Sequence, residues 1–132
     1  EAPAAAAGPA AAAPAAQSAG QCSEADMRLI LGAGFSSAAD SFPARCAACG
    51  MQSWSLFGGF DQAAYATCLE GFTAIAAPCA RCFAAAGDYT FRNCKVQCML
   101  SWCGGSCLEC VAGFSQQLAA CAGAEVPLAG PC

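Results

Sequence analysis

The chain predicts an all-α fold of short antiparallel helical hairpins stapled by disulfides, preceded by an extended Ala/Pro-rich N-terminal arm. Three observations lead there. Capping residues and glycine stops cut the text from Cys22 onward into short helical stretches. Strand signals are nearly absent, with no sustained apolar/polar alternation and no Asn-Gly hairpin. Thirteen cysteines in 132 residues place the chain among disulfide scaffolds, and the length suits one domain with one core.

Taken in order, residues 1–21, "EAPAAAAGPAAAAPAAQSAGQ", form the arm. Alanine favours helix, but Pro3, Pro9 and Pro14 interrupt the ladder, and the side chains are too small to build a core. Residues 22–132 form the stapled body. Ser23 with Asp26 is a capping arrangement that opens "EADMRLIL", which stops at Gly32. Residues 36–57 carry a broken pattern interrupted by Pro43, and Gly58-Gly59 is a turn. Asp61 caps "QAAYATCLEGFTAIA", and Pro78 suits the first turn of "CARCFAAA". Gly87-Asp88 reads as the next turn. Thr90 caps "FRNCKVQCMLSW", which ends at Gly104-Gly105, and Ser106 with Glu109 caps "CLECVAGFSQQLAACA", which ends at Gly123.

Cysteine spacing then suggests connectivity. In an antiparallel hairpin, residues equidistant from the turn face each other, and positions i with i+3 or i+4 share a helix face. Cys82 with Cys94, and Cys79 with Cys98, are both centred on residue 88, at the Gly87-Asp88 signal. Two nested bridges, Cys82–Cys94 and Cys79–Cys98, are therefore expected. The same reasoning puts Cys49–Cys68 around Gly58-Gly59 and Cys22–Cys46 around Gly34. Cys103, Cys107, Cys110, Cys121 and Cys132 stay unassigned, with Cys132 expected to tie the tail back. The odd total leaves one thiol free or bonded outside the chain.

Several functions lack their residues. Histidine is absent, so Ser-His and Cys-His dyads are impossible. Carboxylates are spread one per element, no Walker or Rossmann glycine pattern occurs, and no catalytic residue or cofactor site is assigned. The Cys-x-x-Cys pairs can be read as zinc ligands, "CAACG" at 46–50 most of all. Without histidine and within helix-forming text they are read as staples, and no metal is expected. Iron–sulfur spacing is missing. A redox site at Cys79/Cys82 has only Arg81 to lower a thiol pKa and no βαβ context. Five Lys+Arg against nine Asp+Glu, all scattered, give no nucleic-acid footprint. No apolar run reaches the roughly 18–20 residues of a transmembrane span. The opening residues carry no secretory n- or h-region, which suggests a mature product. Cysteine density implies an oxidising compartment. The aromatics of "WSLFGGF", Trp54, Phe57 and Phe60, cluster at a turn and are the candidate partner contacts.

The run Cys79-x2-Cys82-x11-Cys94-x3-Cys98, followed by Cys107-x2-Cys110-x10-Cys121, resembles small cysteine-rich, Ala-rich helical proteins of algal secretory and plastid-lumen type. That resemblance implies a lumenal or extracellular accessory subunit, such as a thylakoid-lumen linker of a photosystem–antenna supercomplex. It carries no site residue across. The leading expectation is accordingly a non-enzymatic linker whose arm docks on a larger protein complex, with peripheral association at a membrane surface compatible with that role. The alternatives are a secreted helical carrier of a lipid or apolar ligand, which requires a cavity lined by aromatics, and a thiol–disulfide redox protein.

Overall fold

The computed structural model describes residues 20–132. The arm therefore lies outside the described residues except at its end. The body is all-α, with one two-residue β-hairpin.

Helix α1 (Glu24–Ala33) begins in a reciprocal capping box. The Asp26 N–H donates to Ser23 Oγ (3.0 Å), and the Ser23 N–H donates to Asp26 Oδ2 (2.9 Å). The other carboxylate oxygen of Asp26 accepts the N–H of Ala76 (3.0 Å), fifty residues on. This bond ties the start of α1 to the entry of α4. Helix α2 (Phe42–Gln52) starts at Ser41, whose hydroxyl accepts from Ala44 N–H. Pro43 opens this helix and does not interrupt it, since a first-turn residue has no intrahelical use for its N–H.

Strands β1 (Trp54–Ser55) and β2 (Gly59–Phe60) pair antiparallel, Trp54 opposite Phe60, with Gly59 at φ 76° in the turn. Helix α3 (Gln62–Thr73) is capped by Asp61, which accepts from Ala64 N–H (2.9 Å). Helix α4 (Ala77–Asn93) has Pro78 in its first turn and runs 17 residues without a break. Short helices α5 (Lys95–Cys98) and α6 (Gly105–Val111) follow, then a 3-10 turn (Ala112–Phe114) and α7 (Ser115–Ala122), which stops at Gly123 with φ 81°. Thr90 and Ser106 cap nothing. Thr90 sits inside α4 and bonds the Ala86 carbonyl, and α6 is capped two residues early, at Gly104.

The core joins Ile30 of α1, Phe42 and Cys49 of α2, Tyr65 and Leu69 of α3, and Phe83 of α4. Ala80 and Ala84 are fully or almost fully buried on α4, and their small side chains let α3 approach closely. The Phe42 and Phe83 rings meet edge-on, with centroids 4.9 Å apart.

Six disulfides cross-link this body. Cys49 is bonded to Cys68 across the α2/α3 hairpin. The expected Cys82–Cys94 and Cys79–Cys98 bridges are absent. Cys82 and Cys94 stand twelve residues apart on the continuous α4, about 18 Å along the axis at ~1.5 Å per residue, well beyond disulfide reach. Cys82 pairs with Cys121 of α7, and Cys94 with Cys110 of α6. Cys98 pairs with Cys107, so two nested bridges exist, but they centre on residue 102. The nested geometry is real; its turn is the Ser101–Gly104 segment.

The Cys22–Cys46 expectation also fails. Asp26 draws the start of α1 to α4, so Cys22 meets Cys79 with 4.4 Å between Cα atoms. Cys46 keeps a free thiol. Cys132 does tie the tail back, through Cys103.

Among the described residues, no helix is long and apolar enough to cross a membrane. The six disulfides belong to an oxidising, extracellular or lumenal setting.

Candidate functional site

At the end of α2, Ser53 donates its hydroxyl to the Cys49 carbonyl (2.6 Å) and accepts the Asp61 N–H at its own carbonyl (2.7 Å). These two bonds close the base of the β-hairpin and set Trp54 beside Phe60. Both rings then lie against Phe91 of α4, with centroids 5.9 and 6.0 Å away. Gly87 makes room for this cluster. A Cβ there would stand 2.8 Å from Phe60 Cζ and 3.2 Å from Tyr65 Cε2.

Residues of α5, α6 and the loop between them continue this apolar surface, Lys95 of α5 lying directly over Phe91. The C-terminal tail is held nearby, with Gly130 N–H on the Phe35 carbonyl (2.7 Å) and Cys132 N–H on the Cys103 carbonyl (3.0 Å).

Along the apolar surface lies a half-open groove of about 540 Å³, within the ~300–1,000 Å³ range of small-molecule sites. Phe42, Tyr65 and Phe83 are buried and form its floor. Trp54, Phe60 and Phe91 line it as one ring cluster, and Trp102, Leu108 and Phe114 line it as well. Met51, Met99 and Leu100 are exposed at the rim, Leu100 to 97%.

The polar groups in the lining are mostly satisfied from within. Thr90 and Ser115 donate to the backbone carbonyls of Ala86 and Ala112. The Tyr65 hydroxyl lies near the Cys46 sulfur and favours its ionised form slightly. Burial pushes the Cys46 thiol up to about 12, the tyrosine hydroxyl offsetting only part of that rise. Burial and the neighbouring sulfur raise the Tyr65 phenol well above its ordinary value as well. A thiol this hard to ionise is a poor nucleophile. Among the described residues Lys95 is the single charged side chain in the lining, its ammonium 3.9 Å from the centre of the Phe91 ring.

The structure divides the three aromatics expected to form a partner surface. Trp54 and Phe60 line the groove, whereas Phe57 stands fully exposed at the hairpin tip beside Leu56. Sequence reasoning missed Phe91, Lys95 and Trp102. The apolar run Cys98-Met99-Leu100 beside Trp102, in a stretch read as continuous helix, was the available signal. Cys46 and Cys49, read as half a possible zinc knuckle, are separated in role, one a free thiol in the groove and one bonded to Cys68. Cys79 and Cys82, the redox candidates, are both fully buried and bonded to Cys22 and Cys121. Among the described residues no group of metal-ligating side chains is gathered.

No protein-family profile, curated protein or solved structure matches this chain.

Proposed function

We propose that this protein is a non-enzymatic carrier that holds an apolar ligand in the groove between α2, α4 and α6. The apolar, aromatic-lined groove itself carries this reading, because a free surface of that size favours whatever removes it from water. The disulfides support it by fixing the elements that line the groove, Cys98–Cys107 joining α5 to α6 and Cys94–Cys110 joining the end of α4 to α6.

Both tryptophans, Trp54 and Trp102, line the groove and report on its contents. Titrating the full chain with long-chain apolar ligands should give a saturable change in tryptophan emission, with competition by unlabelled ligand. Emission that stays flat across chain lengths overturns the carrier reading.

A linker role is the second reading, supported by Leu56 and the fully exposed Phe57 at the hairpin tip. A larger complex, such as a photosystem–antenna assembly in a thylakoid lumen, would seat that tip as an anchor. Size exclusion of native material separates the two. A linker travels with a large complex and Phe57→Ser releases it; a carrier elutes at its own small size.

A further inference from the structure

We infer that the ligand is a single-chain amphiphile with a carboxylate head, its tail in the groove and its head on Lys95. This deepens the carrier reading and rests on it.

Capacity comes first. The groove, at about 540 Å³, falls within the ~300–1,000 Å³ range of sites for small molecules. That size suits a single acyl chain.

Charge decides the head. The chain is acidic, with a formal charge of −4, yet among the described residues none of its carboxylates lines the groove. Lys95 is exposed at the rim, its ammonium resting on Phe91, and among the described residues it has no carboxylate partner within 4.0 Å. The ring holds the cation where the aromatic side wall meets solvent. A head group leaving the groove there finds one positive charge. One lysine neutralises one negative charge, which matches a carboxylate better than a doubly charged phosphate monoester. The Thr90 and Ser115 hydroxyl protons are already donated to backbone carbonyls, so they offer an incoming head acceptors only, and Lys95 is the donor that can hold an anionic one.

The test is equilibrium binding to the full, oxidised chain, read by tryptophan emission. Probes are palmitate, hexadecanol and hexadecyl phosphate, against wild type, Lys95→Met and Lys95→Arg. Lys95→Met keeps the stem over Phe91 and removes only the charge. Palmitate should bind wild type about two- to five-fold more tightly than hexadecanol, the range of an exposed ion pair. That preference should vanish in Lys95→Met, persist in Lys95→Arg and shrink at high salt. Equal binding of acid and alcohol to wild type, or a preference that survives Lys95→Met, overturns the head-group inference while leaving the carrier reading standing. Tighter binding of hexadecyl phosphate than palmitate overturns the carboxylate assignment. Binding of none of the three overturns both.

Discussion

Asp26 shows how much a single side chain can decide in this molecule. Among the described residues it is the one buried charged group, and its two carboxylate oxygens accept the backbone N–H groups of Ser23 and Ala76. Burial pushes its carboxyl up, but the N–H groups of Ala76 and Ser23, with the Ser23 hydroxyl, outweigh burial and hold it below the ordinary value. A depressed folded pKa means stability that is fully present above the unfolded value near ~3.9 and is lost as pH falls through the folded value. Denaturant midpoints should therefore drop below about pH 4, and Asp26→Asn should flatten that acid limb. Asp26→Ala strands the Ala76 N–H and removes the cap, so chemical denaturation should show a loss of about 1–3 kcal/mol. The capping half of this arrangement was legible from Ser23 and Asp26. The bond to Ala76 was not, because local spacing says nothing about a partner fifty residues away.

At the scale of elements, α4 organises the fold. It carries Cys79, Cys82 and, at its C-cap, Cys94, and through them holds the segment before α1, helix α7 and helix α6. Its continuity is the point on which the sequence reading failed. Gly87-Asp88 has turn chemistry, but each residue has a helical use here. Gly87 admits the Phe60 and Tyr65 rings, and Asp88 accepts from Arg92 one turn on (2.8 Å). Gly87→Ala tests this directly. Helix propensity favours alanine by about 0.8–1 kcal/mol, whereas overpacking against Phe60 costs about 1–3 kcal/mol. The expected outcome is net destabilisation with altered Trp54 emission, and a stabilised variant would show that the ring moves freely. The other boundaries at Ser23, Asp61, Pro78 and Gly123 were legible because caps and stops act within one turn.

Over the whole molecule, disulfides and a modest core share the work. Much of the buried apolar surface is Ala and Cys, with few large side chains at the centre. Such a core does not outweigh chain entropy of roughly 1–2 kcal/mol per residue without cross-links. Full reduction should therefore abolish cooperative unfolding by circular dichroism. The bridges should rank by the loops they close. Loss of Cys22–Cys79, which spans 57 residues, should cost about 4 kcal/mol, and loss of Cys98–Cys107, which spans 9, about 2.5 kcal/mol. Equal midpoints for Cys22→Ser with Cys79→Ser and for Cys98→Ser with Cys107→Ser would contradict that order.

Sequence alone determined the helical class, most helix starts, the disulfide character and hence the oxidising setting, all properties of composition or of contacts within a turn. Tertiary structure alone decided which cysteines meet, that Cys46 stays free, and that a groove exists. Its walls come from residues as distant as Phe42, Phe91, Trp102 and Leu128. A pairing rule based on midpoints needs to know where the chain turns, and at Gly87 the packing of two aromatic rings from another element settled that question in favour of helix.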